Sequence, residues 1–231
     1  MEFYTVSARG VDEDTANFLG IQERVVMWTA GGQLNLAAKC RFGLVLSGPS
    51  RLETSHGLSA ELPSGCFFST TGAIKISNGA GVLIESDASN PMEIMGGPVE
   101  QRGRLRYIDG CTDTLLLSPP RLGDACLNAL FFPKNIHQTT HTHPSARIGA
   151  VLSGKGVCRT PSGQVTLYPG LVFVIPPGAS HAFSTSDSEM VVVAFHPDSD
   201  FGPKDEDHPM INRTMVNGCS ANLIDSIRTV S

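Results

Sequence analysis

The sequence predicts an all-β protein built from two tandem β-barrels. Short apolar stretches separated by clusters of Gly, Pro, Ser and Asn recur along its 231 residues, as is typical of β-sandwiches and barrels. Apolar residues make up 41% of the chain and charged residues 17%, with 24 Gly and 15 Pro, which favours a turn-rich β protein over a helical bundle. An internal repeat indicates that there are two such units.

The repeat is an eight-residue segment that occurs once in each half of the chain. Arg41-Phe-Gly-Leu-Val-Leu-Ser-Gly48 and Arg147-Ile-Gly-Ala-Val-Leu-Ser-Gly154 agree at six of eight positions, at an offset of 106 residues. The similarity continues, because Gly65 and Gly170 each precede a short apolar run. Each half is therefore predicted to be one copy of the same small β unit.

The repeat also predicts the domain organisation. Residues 92–106 contain Gly96-Gly97-Pro98 and mixed charges, a composition typical of a linker. We therefore expect one barrel in residues 1–100 and a second in residues 101–200. The acidic, proline-broken segment after Pro197 leads us to expect a C-terminal arm, residues 201–231, that packs on the barrels.

Charge and cysteine content favour a small-molecule ligand. The formal net charge is −5, which gives no broad basic surface for nucleic acid or for an anionic membrane. The six cysteines form no CxxC pair, so we expect reduced, mostly buried thiols. The N-terminus shows no basic region followed by an apolar run, and we place the protein in the cytoplasm.

Three histidines form the candidate metal site. His141 and His143 are two residues apart, and the period of two in a strand points both imidazoles to the same face, where they can share one ion. His181 follows a turn rich in Pro and Gly, where a neighbouring strand can bring it beside the pair.

These residues resemble the two sequence motifs of the cupin superfamily. His141, His143 and Gly154 match the first motif, with Arg147 at the position where the family has Glu and Asn135 in place of its opening Gly. Gly170, Pro176, Gly178 and His181 match the second, with Thr185 in place of the usual Asn. The resemblance implies cupin-type double-stranded β-helix (jelly-roll) barrels and one divalent metal ion held by His141, His143 and His181.

The first half lacks these histidines. The offset of 106 places Asn35 opposite His141, Ala37 opposite His143 and, approximately, Lys75 opposite His181. The chain therefore resembles a bicupin whose N-terminal barrel is degenerate and serves packing, dimerisation or pocket closure. A monomer and a homodimer both remain open.

Arg147 and His137 are the candidate catalytic residues. With Arg147 in place of the usual carboxylate, the metal keeps its full double charge and the site favours an anionic substrate, which the guanidinium can bind. The alternative is a structural role in a buried ion pair, because Arg41 occupies the same position in the first half. His137 shares strand parity with His141 and His143. His196 either lines the pocket or ends a strand.

Three neutral imidazoles resemble the centres of cupin dioxygenases, so Fe(II) is the favoured metal and an oxidoreductase the favoured function. Phe173, Phe183 and Phe195 are candidates for the apolar wall of the pocket, and core packing explains each of them at least as well. One alternative is an isomerase, cyclase or lyase that uses Zn, Mn or Ni, with His137 or Glu189 moving a proton. Another is a cupin that binds a small molecule without catalysis.

Overall fold

The computed structural model describes residues 2–87, 90–199, 210 and 213–227, and most of its regular structure is β-strand. The elements before residue 100 are β1 (Tyr4–Val6), α1 (Glu13–Leu19), β2 (Arg24–Trp28), β3 (Gln33–Leu36), β4 (Arg41–Ser47), β5 (Ser50–Thr54), β6 (Ser59–Leu62), β7 (Phe67–Thr70), β8 (Ile74–Ser77), β9 (Ala80–Glu85) and β10 (Ile94–Gly96). Those that follow, up to residue 199, are β11 (Leu105–Arg106), a 3-10 turn (Ile108–Gly110), β12 (Thr112–Leu117), β13 (Cys126–Phe132), β14 (Arg147–Gly154), β15 (Gly156–Thr160), β16 (Gly163–Leu167), β17 (Val172–Ile175), β18 (Ala182–Ser184) and β19 (Met190–His196). Among the described residues, no helix has the length and apolar character needed to span a membrane.

The two halves have the same sheet topology. The first half forms a sheet of order β10-β7-β4-β9-β2 and a smaller one of order β3-β8-β5-β6. The second half forms β17-β14-β19-β13 within a seven-stranded sheet, and a smaller sheet of order β16-β15-β18. Every pairing of β7, β4, β9 and β2 is thus reproduced by β17, β14, β19 and β13. The prediction of an all-β protein with two tandem double-stranded β-helix barrels is confirmed.

Details of the repeated strands also agree. The pairing of β4 with β9 shifts register between Val45 and Ser47, and that of β14 with β19 shifts between Val151 and Ser153. These positions differ by the same 106 residues as the sequence repeat. A bulge conserved between the copies bends both sheets at equivalent places.

A glycine in each copy makes room for a phenylalanine. A Cβ on Gly43 would lie 2.2 Å from the ring of Phe68, and one on Gly149 would lie 2.2 Å from the ring of Phe173. Both rings are buried inside their own barrel. The repeated Gly is therefore explained by close packing of an aromatic ring on a cross-strand neighbour.

The outward faces of the two large sheets share one core. Phe42 of β4 contacts Phe195 of β19 with ring centroids 5.0 Å apart, within a buried cluster that contains residues of both sheets. The N-terminal strand β1 pairs with β17, so the beginning of the chain completes the sheet of the second half. The two barrels are joined by apolar packing and by this strand.

The chain forms two compact units, Met1–Ser199 and Asp200–Ser231. The described part of the second unit contains the hairpin β20 (Met215–Val216) and β21 (Cys219–Ser220), followed by 3-10 turns at Ala221–Leu223 and Asp225–Ile227. Residues 201–209 of the expected arm lie outside the described residues. The predicted boundary near residue 100 stays a prediction.

Candidate metal centre

The structure brings His141, His143 and His181 together. The backbones of His141 and His181 form a reciprocal pair of hydrogen bonds, each N–H donating to the other carbonyl at 3.0 Å. The ring centroids lie 4.5 Å apart for His141 and His181, 5.1 Å for His141 and His143, and 5.2 Å for His143 and His181. One ligand atom from each of the three lies within 4.8 Å of the other two.

Backbone contacts fix the segment that carries the two neighbouring histidines. The N–H of Gly178, in the turn before His181, donates to the carbonyl of His143 at 2.8 Å. On the other side, the N–H of Gln138 donates to the carbonyl of Phe183 at 2.9 Å. Thr185 contributes as well, because its hydroxyl accepts from the N–H of Ile136 at 3.0 Å. The second motif thus positions the first.

Hydrogen bonds also determine which nitrogen faces the centre. Nδ1 of His141 lies 2.8 Å from the carbonyl of Thr139, and Nδ1 of His181 lies 3.0 Å from the carbonyl of Ala179. Because a carbonyl oxygen only accepts, each Nδ1 carries the hydrogen, and Nε2 keeps its lone pair. Such contacts orient the imidazole ligands of metal sites.

Burial keeps the imidazoles of His143 and His181 neutral. It lowers the pKa of His143 to about 3, with the nearby Arg147 charge as the next contribution, and it lowers the pKa of His181 to about 4. Neutral imidazole is the form that binds metal. Metal–nitrogen bonds are about 2.1 Å long, so ligand atoms around one ion stand roughly 3–4 Å apart. The three ligand atoms, which lie within 4.8 Å of one another, are close to this spacing, and the neutral His143 and His181 are in the form that binds a divalent ion.

Arg147 lies in the same barrel as the three histidines. Its Nη1 donates to the carbonyls of Ser145 and Ala146 at 3.2 and 2.9 Å and to the Ser145 hydroxyl at 2.8 Å. Its Nε is buried and has no hydrogen-bond partner among the described residues. Burial lowers the pKa of the guanidinium from its usual value.

Polar residues of β12, β13 and β19 also face the interior of the second barrel. Asn128 donates from Nδ2 to both carboxylate oxygens of Asp113, at 2.9 and 3.1 Å, and burial raises the pKa of Asp113. Cys126 donates to Oδ1 of Asn128 at 3.2 Å, and burial raises its pKa to about 11. Burial lowers the pKa of His196 to about 3, helped by the charge of Arg147.

Sequence reasoning did not identify Asp113 and Asn128 and gave little weight to His196. Cross-strand register is the signal that finds them. Asp113 pairs with Leu130, and Asn128 pairs with Ala194, on the face opposite to the buried Phe195.

The remaining residues that the sequence suggested for the site do not all lie at the three histidines. His137 and Glu189 are exposed, and neither belongs to the three-histidine group. The catalytic role of His137 stays a prediction; its side chain is exposed, whereas that of its neighbour Gln138 is buried. Phe183 lies beside His181 with ring centroids 5.7 Å apart. Of the two roles open to Phe195, pocket wall and core packing, the structure shows core packing, between the two large sheets.

The first barrel has apolar side chains at the equivalent positions. The pair Leu52 and Ile76 corresponds to the pair Cys158 and Phe183, which aligns the two copies. In this alignment, the pair Leu36 and Ile74 corresponds to the pair His141 and His181. The offset-based assignment of Asn35 and Lys75 is therefore wrong by one residue, because the offset between copies is not constant. Both of those side chains are exposed, whereas Ile74 is buried.

Comparison with known proteins agrees with this geometry. Residues 131–196 match the family model for the cupin domain. Among solved structures, a cupin 2 conserved barrel domain protein from Leptotrichia buccalis is 14% identical, with a TM-score of 0.54 over 75% of this chain and 81% of its own. A salicylate 1,2-dioxygenase from Pseudaminobacter salicylatoxidans is 10% identical, with a TM-score of 0.57 over 76% of this chain and 70% of its own. The protein Ylba from E. coli is 14% identical, with a TM-score of 0.55 over 80% of each chain.

No curated protein sequence matches the chain. At these identities, the likeness to solved structures concerns the fold. The chain has the cupin fold, residues 131–196 match the cupin domain, and the three histidines within that domain could hold a metal ion.

Proposed function

We propose that the protein is a metal-dependent enzyme that acts on a small anionic metabolite, as an oxidoreductase of the Fe(II) three-histidine dioxygenase type. The observation that carries this proposal is the group His141, His143 and His181, whose donors are all imidazole nitrogens with no carboxylate among them. Further support comes from the fold, which resembles that of a salicylate 1,2-dioxygenase, a protein whose structure has been determined with gentisate.

The residues have distinct roles in this proposal. His141, His143 and His181 hold the ion, and Fe(II) bound there supplies the activation of O₂. Arg147 orients the anionic group of the substrate. Phe183, beside His181, and Phe173, whose ring lies 5.9 Å from that of Phe183, exclude water from the reacting groups.

We further propose that the first barrel is a degenerate copy. Leu36 and Ile74 take the positions of His141 and His181, and neither can bind a metal. Arg41 and Glu85 form an ion pair inside this barrel, with side chains 3% and 1% exposed. An apolar interior and a neutralised charge suit packing rather than catalysis. We also propose a cytoplasmic location and the domain boundaries 1–100, 101–200 and 201–231, with a monomer and a homodimer as the alternatives for the oligomeric state.

Anaerobic reconstitution followed by oxygen measurement tests the function. The metal-free protein is loaded with Fe(II), Zn, Mn or Ni in separate samples and supplied with a panel of small aromatic and aliphatic acids. The proposal predicts substrate-dependent O₂ uptake by the Fe(II) sample and little by the Zn sample. Equal turnover without O₂ would favour the isomerase, cyclase or lyase alternative, and metal binding without turnover would favour a binding protein.

A further inference from the structure

The duplication allows one buried arginine to be compared with its equivalent. In the first barrel, Arg41 directs one edge of its guanidinium at Glu85, with Nε and Nη2 each 2.8 Å from Oε1. Its Nη1 donates to the carbonyl of Gly72 at 3.3 Å. Glu85 is also 3.2 Å from Nη1 of Arg24. The carboxylate of Glu85 therefore neutralises the Nε edge of Arg41.

The second barrel has no carboxylate at the position of Glu85. In the first barrel, Gly43 pairs with Leu83, and Arg41, two residues earlier, pairs with Glu85. In the second barrel, Gly149 pairs with Ala194, so the same register places His196 opposite Arg147. Arg24 pairs with Glu85 as Cys126 pairs with His196. The trio Arg24, Glu85 and Arg41 thus corresponds to Cys126, His196 and Arg147. At neutral pH both Cys126 and His196 are uncharged, since their pKa values are about 11 and about 3.

Because His196 replaces Glu85, the Nε edge of Arg147 has no carboxylate opposite it of the kind that Arg41 has. Nη1 of Arg147 is taken by Ser145 and Ala146, while Nε, the atom that Arg41 uses on Glu85, is buried without a partner in the described part of the chain. Within that part, no ion pair includes Arg147. The nearby Asp198 accepts a hydrogen bond from the Ser145 hydroxyl, and its negative charge raises the pKa of Arg147.

A half-buried guanidinium whose buried Nε has no hydrogen-bond partner favours an anion at that edge. Leaving such a donor unpaired costs a large part of its desolvation free energy, and a carboxylate with two oxygens fits the Nε edge. The position lies in the barrel of the metal ligands, because Arg147 pairs with Ile175 at the end of β17, and the turn that follows donates from the N–H of Gly178 to the carbonyl of His143.

We infer that the second barrel binds a carboxylate group of its substrate on the Nε edge of Arg147, and that the exchange of Glu85 for His196 between the repeats opens this subsite. The inference rests on the proposed function, since it names the substrate class of the same site. His196 is thereby a specificity-determining residue, because a carboxylate at its position would occupy Arg147 from within the protein.

Three variants test the subsite, with formate and benzoate as probes and benzamide as the neutral control. Calorimetric affinities are measured on the full chain, both metal-free and loaded with zinc. Arg147→Gln is expected to weaken carboxylate binding at least about tenfold, which is about 1.4 kcal/mol. His196→Glu is expected to weaken it as much, because the new carboxylate would pair with Arg147 as Glu85 pairs with Arg41. His196→Gln, which adds no charge, is expected to change it about twofold or less.

A second readout uses Arg41 as an internal reference. In the nitrogen NMR spectrum, benzoate is expected to shift the Nε resonance of Arg147 and leave that of Arg41 in place. Unchanged carboxylate affinity in both Arg147→Gln and His196→Glu would overturn the inference, as would a wild-type protein that binds neither formate nor benzoate. If Arg147→Gln fails to fold, His196→Glu decides.

The metal content of each variant separates this inference from the proposed function. A wild-type protein that takes up no metal contradicts the proposed function, while the metal-free titrations still decide whether Arg147 binds carboxylates. Loss of carboxylate binding in His196→Glu with full zinc content supports the subsite itself.

Discussion

At the residue scale, burial of histidine determines how the protein responds to acid. The pKa of His181 falls to about 4, and those of His143 and His196 fall to about 3. An unfolded chain titrates these groups near 6.5, so it binds more protons than the folded chain between the two values. Their contribution to stability is therefore fully present above about pH 6.5 and is lost as the pH falls toward the folded pKa values.

We predict that the free energy of unfolding of the metal-free protein falls from pH 7 to pH 5, and that His181→Gln reduces the slope. His181 is 1% exposed, and one such group contributes at most about 1.4 kcal/mol per pH unit. The measurement is urea denaturation of both proteins at several pH values. The raised pKa of Asp113 makes the folded chain bind more protons than the unfolded chain, so its contribution to stability rises as the pH falls. This contribution is the same in both proteins and cancels when their slopes are compared. Identical slopes would contradict the prediction.

At the element scale, each barrel has the same close contact between a glycine and an aromatic ring. In the second barrel the ring belongs to Phe173, which contacts Phe183, and Phe183 lies beside His181. In the first barrel the ring belongs to Phe68, in a barrel with Leu36 and Ile74 in place of two histidines. The same substitution at the two equivalent glycines should therefore disturb ring packing in both barrels, but it should affect the metal site only in the second.

We predict that Gly149→Ala and Gly43→Ala each destabilise the protein by about 1–3 kcal/mol, because the added Cβ displaces a packed ring. Only Gly149→Ala should also weaken metal binding, through Phe173 and Phe183. Urea denaturation and zinc titration of both variants provide the comparison. Equal loss of metal affinity in the two variants would contradict the prediction that Phe173 and Phe183 transmit the change at Gly149 to the metal centre.

The sequence was sufficient to predict the strands, the repeat and the three histidines, because each leaves a local pattern. It was not sufficient to predict how the copies correspond. The offset is 106 residues at Gly43 and Gly149 but 111 at Leu83 and Ala194, because the connections differ in length. The correspondence of Glu85 and His196 therefore became visible only in the strand register. For the same reason, Leu36 and Ile74 replaced Asn35 and Lys75 as the equivalents of the histidines.

At the scale of the whole molecule, the two barrels share a core, and the N-terminal strand β1 completes the large sheet of the second barrel. Phe42 and Phe195 are buried between the large sheets, and β1 pairs with β17. Neither large sheet buries its outward face without the other. The barrels within residues 1–199 should therefore unfold together.

We predict a single unfolding transition for the two barrels. Trp28, the one tryptophan in the sequence, is buried in the first barrel and reports on it by fluorescence. Buried Cys158 reports on the second barrel by its reactivity toward a thiol reagent, followed by mass spectrometry of the peptide that carries it, since Cys66 is buried in the first barrel. The two signals should have the same denaturant midpoint. Separate midpoints would show that each barrel folds independently.

The most direct test of the account is the metal stoichiometry of paired histidine variants. The metal-free wild-type protein is titrated with zinc and with Fe(II) under reducing conditions, beside His181→Gln and the matched His56→Gln, which changes a half-exposed histidine of the first barrel. One ion per chain is expected for the wild type and for His56→Gln, with affinity lower by at least about a hundredfold in His181→Gln. Equal binding by all three proteins, or no stoichiometric binding by the wild type, would contradict a metal centre at His141, His143 and His181.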